Sequence, residues 1–299
     1  MGNKMEEMIN EDAVVVSKSK RLWLTVLDVV LFIVLLGVIT VFITMPFSLL
    51  IKGMDEDAMG GNVPLSILQE TLLLVATFLA AWILLSRRKR PLTSLGLSLQ
   101  GRWKDLFGGA LFAAVLYAVG FGLSLLLGVV AVTGVSFQPS SLLMSLMFFL
   151  LVGITEELMV RGFILGRMLD GGVNKFWALL ISSAIFSLMH FFNPNFAFVP
   201  FLNILLAGVL LGASYIYTRN LCFPIALHWF WNWLQGPVLG YEVSGNRFSD
   251  SLITLHLPEK NLINGGTFGF EGSILCTILM IAGTALIIGY YERKKNKKA

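Results

Sequence analysis

Long apolar stretches alternate with short polar connections along almost the whole chain. A helix needs about 20 residues to cross the hydrocarbon core of a bilayer, and eight stretches have or approach this length. They cover residues 22–45, 63–86, 106–132, 142–169, 175–192, 199–218, 222–239 and 272–291. The seventh is short and contains Asn232, Gln235 and Pro237. Because lipid offers no partners to exposed backbone groups, the pattern predicts helices.

The composition agrees with a chain that lies in a membrane. Hydrophobic residues make up 56% and charged residues only 13% of the sequence, whereas about a quarter of a soluble domain is charged. We predict an all-α polytopic integral membrane protein, with about eight transmembrane helices around a polar cavity. Residues 22–291 would form one transmembrane domain, with its motif core at about 142–239. A cytoplasmic N-terminal segment, 1–21, and a basic tail, 292–299, would flank it.

Basic residues in the short connections predict the orientation of the chain. They fall on one side of an eight-helix bundle: Arg87, Arg88, Lys89, Arg90, Arg102, Lys104, Arg167, Lys175, Arg219 and the tail 293–298. The opposite connections are uncharged or, as at Asp55-Glu56-Asp57, acidic. Basic loops stay on the cytoplasmic side, so both termini are predicted to be cytoplasmic. The basic tail therefore indicates a membrane surface and no nucleic-acid partner.

Two cysteines, Cys222 and Cys276, show no CxxC spacing, so neither a disulfide framework nor a zinc knuckle is predicted. The outer connection 238–271 is rich in glycine and is expected to form a structured loop or a partial re-entrant cover. Asp28 and Glu70 lie one or two turns inside their spans. We expect both near the interfaces, or capping polar backbone.

Two adjacent acids stand in the middle of the fourth span. Carboxylates are costly at that depth, so Glu156 and Glu157 indicate a functional site. Glu157 and Arg161 are four residues apart on one helical face and can form an ion pair. Glu156 is rotated by about 100° from Glu157 and lacks this partner, which is the situation of a candidate general base.

Two histidines provide the other candidate chemistry. His190 lies in the fifth span, about as far from the connection at 170–175 as Glu156 lies on the other side. At about 1.5 Å of rise per residue, the two side chains should stand at one level. His228 and Asn232 are four residues apart in the seventh span and face one way. The three segments are therefore expected to meet at one polar cavity.

These motifs resemble those of the CPBP family, which comprises CAAX prenyl endopeptidases and bacterial Abi proteins linked to bacteriocin processing or self-immunity. The resemblance rests on Glu156-Glu157-x-x-x-Arg161, Phe186-x-x-x-His190 and His228-x-x-x-Asn232, and it spans about 150–236. It implies an intramembrane endopeptidase in which Glu156 activates a water with help from His190. His228 and Asn232 would stabilise the oxyanion, and Glu157 and Arg161 would brace the site.

Several alternatives remain open from the sequence. Glu156, His190 and His228 could bind zinc instead, although the pattern is not HExxH and we favour a metal-free mechanism. A non-proteolytic binding or immunity protein, or a transporter with a proton relay, would also use intramembrane polar residues. The expected partners are the bilayer and a peptide or lipidated protein, and the expected location is a bacterial plasma membrane. The sequence names no particular substrate and indicates no oligomeric state.

Overall fold

The computed structural model describes residues 2–50, 63–247 and 250–297, and it describes side chains from residue 18 onward, except 48–50. The predicted acidic connection Asp55-Glu56-Asp57 lies outside these residues. The helices are α1 (Gly2–Leu50), α2 (Val63–Arg87), α3 (Trp103–Leu126), α4 (Pro139–Asp170), α5 (Lys175–Met189), α6 (Phe198–Thr218), α7 (Cys222–Trp233) and α8 (Ile274–Asn296). The strands are β1 (Ala131–Val135) and β2 (Ile253–His256).

Each predicted span corresponds to one of these helices. Within the described residues, six helices are long and apolar enough to cross a membrane: α1, α2, α3, α4, α6 and α8. Helix α5 is apolar but shorter, and α7 is extended by a π-helical segment, Leu234–Val238. The protein is therefore an all-α polytopic integral membrane protein, as the hydropathy pattern predicted.

The third span ends earlier than the sequence suggested. Helix α3 stops at Leu126 instead of residue 132, and Gly128 follows in the left-handed conformation at φ +66°. The chain then forms β1, which pairs antiparallel with β2 between Ala131 and His256 at one end and Val135 and Ile253 at the other. This small sheet was not predicted. It ties the outer connection to the end of α3, so that connection is a structured loop.

Small residues let the helices of the core approach closely. A Cβ atom added to Gly208 of α6 would lie 2.6 Å from the Ser183 Cβ of α5. One added to Gly212 would lie 2.4 Å from the Leu179 side chain. The close approach predicted from the Gly208-x-x-x-Gly212 spacing is thus confirmed.

Ion pairs join several basic connections at one end of the bundle. Asp28 of α1 forms ion pairs with Arg88 and Arg167, and each Nη2 lies 2.7 Å from a carboxylate oxygen of Asp28. Asp170 at the end of α4 pairs with Arg90 and Arg219. These pairs place the connections after α2, α4 and α6 on the same face of the bundle, which we call the basic face. The side of the membrane that this face occupies stays a prediction.

Candidate active site

Helix α4 changes its geometry directly after the two adjacent acids. The α-helical hydrogen bonding runs to Glu157, and a π-helical segment, Leu158–Leu165, follows before the helix resumes. Every residue of this segment is buried. π-Helical turns occur often at functional sites, because they change the direction of neighbouring side chains.

Glu157 is the centre of a buried ion-pair network. Its Oε1 accepts a hydrogen bond from Arg161 Nη1 at 2.7 Å and lies 2.8 Å from Nδ1 of His228. The pair expected from the i,i+4 spacing is therefore present, and α7 adds a third member. Arg161 also donates to the Gly208 carbonyl at 3.0 Å, and its guanidinium lies 4.5 Å from the ring centroid of Phe186. The network fixes the position of α4 against α5, α6 and α7.

Glu156 faces the other nitrogen of the same imidazole. Its Oε2 lies 3.7 Å from His228 Nε2, beyond a direct hydrogen bond. That oxygen is buried and has no hydrogen-bond partner among the described residues. A buried carboxylate oxygen without a partner costs about 1–3 kcal/mol or more, so its presence calls for a functional explanation.

His190 follows the last residue of α5 and is held by its own helix. Its Nδ1 lies 2.9 Å from the carbonyl oxygen of Phe186. A carbonyl only accepts hydrogen bonds, so the ring donates from Nδ1. In the neutral ring, Nε2 therefore presents a lone pair to its surroundings.

One central cavity, of about 450 Å³, brings the candidate residues together. Glu156, His190, His228 and Asn232 all line it, and the side chains of Phe148 and Val152 add apolar walls. The structure thus places all four proposed catalytic side chains at one chamber. Glu157 and Arg161 lie behind it as buried supports.

Comparison with protein-family models addresses this same part of the chain. The model described as Type II CAAX prenyl endopeptidase Rce1-like matches residues 138–234. We call this matched part of the chain the Rce1-like segment, because it is similar to that family. The match agrees with the CPBP resemblance and indicates an intramembrane endopeptidase at the level of the family. Comparisons with curated proteins and with solved structures give no match.

The Rce1-like segment carries every residue of the three motifs, but two acids of the central cavity lie outside it. Glu70 of α2 lines the cavity with Glu156, and its Oε1 is buried without a hydrogen-bond partner among the described residues. The sequence-based expectation for Glu70, near an interface or capping polar backbone, did not include this place at the cavity. Only the packing of α2 against α4 brings it to the site, and no local sequence pattern indicates that packing.

Glu271 is the second acid that the sequence did not single out. It is buried and lines the central cavity. Its Oε1 accepts from Trp231 Nε1 at 3.0 Å, and its Oε2 accepts from the backbone and the hydroxyl of Ser244 at 2.9 and 2.7 Å. Glu271 therefore links the outer loop to α7 at the central cavity.

A metal site was the alternative use of the same side chains. In the part of the chain that the structure describes, no group of three or more His, Cys, Asp or Glu residues could hold a metal ion. His228 Nδ1 is already engaged by Glu157, which leaves one ring nitrogen facing the cavity. That nitrogen could bind a metal or donate to an oxyanion, so the choice between zinc and a metal-free mechanism stays a prediction.

Proposed function

We propose that the protein is an intramembrane endopeptidase that hydrolyses a peptide bond with a water activated by Glu156. The observation that carries this proposal is the buried, unpartnered Glu156 oxygen in a cavity that His190, His228 and Asn232 also line. A general base needs a free acceptor atom within hydrogen-bonding reach of the water. Glu157 also has an unpartnered oxygen, Oε2, among the described residues, but it is fully buried and does not line the cavity, so it has no contact with a water held there.

The first step forms the bond between the water oxygen and the scissile carbonyl carbon. Glu156 takes one proton from the water as this bond forms. His190, with Nδ1 donating to Phe186, offers Nε2 as an acceptor for the other water proton and so orients the nucleophile. Holding the water between two acceptors places its lone pair toward the substrate.

Charge then develops on the carbonyl oxygen and needs donors. The Asn232 amide can donate to it from α7. His228 donates from Nε2 as an imidazolium, because its Nδ1 proton is directed to Glu157. Glu157 offsets the positive charge of that ring, and Arg161 holds Glu157 in place.

Collapse of the tetrahedral intermediate completes the reaction. The electron pair on the oxyanion restores the carbonyl, and the carbon–nitrogen bond breaks. The proton that Glu156 took from the water passes to the leaving amine, which returns Glu156 to its ionised form. One water is consumed, and the products are a new carboxyl terminus and a new amino terminus.

The substrate class follows from the walls of the cavity. Its volume lies within the range of about 300–1,000 Å³ typical of pockets for small molecules, so it admits a short segment of chain and no folded domain. The apolar side chains around the acid favour a membrane-associated peptide or a prenylated CAAX-like protein. The basic connections support an orientation with both termini in the cytoplasm, and we keep the bacterial plasma membrane that the sequence resemblance led us to expect.

Comparative proteomics of membrane peptides tests the proposed activity. Cells that produce the wild-type protein or Glu156→Gln are compared for new peptide termini. Glu259→Gln serves as the matched control, because Glu259 is exposed in the outer loop. We expect termini that appear with the wild type and the control and are absent with Glu156→Gln. Identical sets of termini in all three strains would remove Glu156 from catalysis.

The same strains separate proteolysis from a purely binding role in immunity. If Glu156→Gln protects cells against a bacteriocin as well as the wild type does, and no cleavage is found, the binding function replaces the enzymatic one. Metal analysis of the purified protein tests the mechanism. Activity that is lost on chelation and restored by zinc would favour the zinc alternative.

A further inference from the structure

The central cavity has its exposed lining at one end of the bundle. Val63 begins α2, Asn193 follows α5, and Asn246 and Arg247 lie in the outer loop. We call these four residues the mouth. Asn246 and Arg247 are exposed, whereas the lining residues Leu210, Leu227 and Met280 are buried. In the described part of the chain, the cavity therefore opens at the mouth and is closed at depth by apolar side chains.

A second cavity extends the route outward from the mouth. It has a volume of about 460 Å³ and lies among outer-loop residues, including Asp250, His256 and Lys260. Arg247 lines both cavities. A peptide that reaches the central cavity can therefore approach along the polar surface of the outer loop.

The opposite direction is blocked by buried side chains. Beyond Glu156, the segment Leu158–Leu165 is buried throughout, and the Arg161 side chain is only 1% exposed. Further along α4, Arg167 pairs with Asp28, and Asp170 pairs with Arg219. The basic face is thus separated from the cavity by packed helix and by ion pairs.

The charges at the basic face indicate which end of the bundle faces the cytoplasm. Arg88, Arg90, Arg167 and Arg219 meet at the basic face, and Lys175 pairs there with Glu292 near the end of α8. Short loops with an excess of Lys and Arg remain cytoplasmic. The mouth lies at the other ends of α2 and α5, so it belongs to the extracytoplasmic side.

We propose that the site takes its substrate from the extracytoplasmic face of the membrane. Resting on the proposed protease function, this names the substrate class as a peptide segment of an exported or membrane-anchored protein, displayed at the outer leaflet. A cytoplasmic C-terminal tail would have to pass the basic face and the buried length of α4 to reach Glu156. Of the two substrate classes proposed above, this inference therefore keeps the membrane-associated peptide and drops a cytoplasmic prenylated CAAX-like tail.

Thiol labelling in intact cells tests which side of the membrane the mouth faces, and it needs no assay of activity. Both native cysteines, Cys222 and Cys276, are buried, so the wild-type protein should stay unlabelled by a membrane-impermeant maleimide. Asn246→Cys places a thiol at the mouth. Gln100→Cys places one in the exposed connection between α2 and α3, which leads from the basic face.

We expect Asn246→Cys to react in intact cells and Gln100→Cys to react only after the cells are permeabilised. Reaction of Gln100→Cys in intact cells, or protection of Asn246→Cys until permeabilisation, would overturn the assignment of the faces. Labelling of both variants in detergent shows that each thiol is reactive and that each protein is present.

Sealed vesicles test the route of the substrate. A membrane-impermeant mixture of fluorogenic peptides is added outside right-side-out or inverted vesicles, with Glu156→Gln as the background. We expect cleavage to be at least about tenfold faster in right-side-out vesicles, since only these present the mouth to the peptide. Equal rates, or faster cleavage in inverted vesicles, would overturn the proposed route.

Blocking the mouth is a second test of the route by which the substrate enters the central cavity. A bulky impermeant maleimide on Asn246→Cys should lower cleavage by about fivefold or more, because it obstructs substrate entry. The same reagent on Gln100→Cys should leave cleavage unchanged. Full activity of the blocked mouth variant would count against the route. Absence of cleavage in every wild-type sample would instead refute the protease function, while the labelling pattern would still decide the faces.

Discussion

The carboxylate of Glu157 lies 2.8 Å from Nδ1 of His228, across the contact between α4 and α7. Its neighbour in sequence, Glu156, faces Nε2 of the same ring at 3.7 Å. One imidazole therefore stands between a buried carboxylate whose Oε1 is engaged by Arg161 and His228 and a carboxylate that lines the central cavity. This arrangement divides the two adjacent acids into a supporting residue and a candidate base.

Replacing Glu157 by Gln should lower activity without removing the base. The amide keeps an oxygen that can accept from His228 or Arg161, but it loses the negative charge that offsets the imidazolium. Supporting residues of this kind typically contribute about 10–100-fold, so we expect kcat/KM to fall by about that factor. Steady-state kinetics on a cleaved peptide provide the measurement. A Glu157→Gln enzyme with wild-type kcat/KM would remove the supporting role.

Removing the charge of Arg161 should destabilise the fold. Arg161→Met leaves Glu157 buried beside His228 and loses the hydrogen bond to the Gly208 carbonyl. Breaking a buried pair in this way costs about 3–5 kcal/mol. Thermal unfolding in detergent should show a clear drop in the midpoint, whereas Lys295→Met, at an exposed position of α8, should change stability by less than about 0.5 kcal/mol. Similar midpoints for the two variants would contradict the assignment.

Two glycine substitutions test the close contact between α5 and α6. In Gly208→Ala the new Cβ would lie 2.6 Å from the Ser183 Cβ, so the helices must separate. Overpacking of this kind costs about 1–3 kcal/mol. Gly122→Ala in α3 meets nothing within 4 Å and should be neutral or stabilising by up to about 1 kcal/mol. Unfolding midpoints that move in the same direction would argue against the contact.

Glu70 offers a prediction that the three motifs alone do not make. The side chains of Glu70 and Glu156 line one cavity, and each has a buried oxygen without a hydrogen-bond partner among the described residues: Oε1 of Glu70 and Oε2 of Glu156. If Glu70 helps to order polar groups there, Glu70→Leu should lower kcat/KM by about tenfold or more. Glu70→Gln keeps hydrogen-bonding capacity and should stay within about threefold of the wild type. Wild-type kinetics for Glu70→Leu would exclude this role.

The sequence predicts the helices of this fold well, because each span is a separate apolar run bounded by polar or basic connections. It also indicates the Glu157–Arg161 pair, since an i,i+4 spacing depends only on helical geometry. The end of α3 was misplaced because the apolar run continues past Gly128 into β1. Strands of five and four residues are too short to give a clear alternating pattern.

The parts of the site that were missed depend on tertiary packing. The contact between Glu157 and His228 joins two helices and follows from how they cross, which no local pattern specifies. Glu70 and Glu271 reach the cavity from α2 and from the loop before α8, both outside the Rce1-like segment. Their catalytic or supporting roles, like those of Glu156, His190, His228 and Asn232, stay predictions until kinetics test them.

The kcat/KM of Glu156→Gln on a peptide that the wild type cleaves tests the central claim most directly. The substitution keeps the size of the side chain and removes its capacity to accept the water proton. We predict a loss of at least about 100-fold, with an unchanged unfolding midpoint and with Glu259→Gln as active as the wild type. Equal kcat/KM for the wild type and Glu156→Gln would contradict the account.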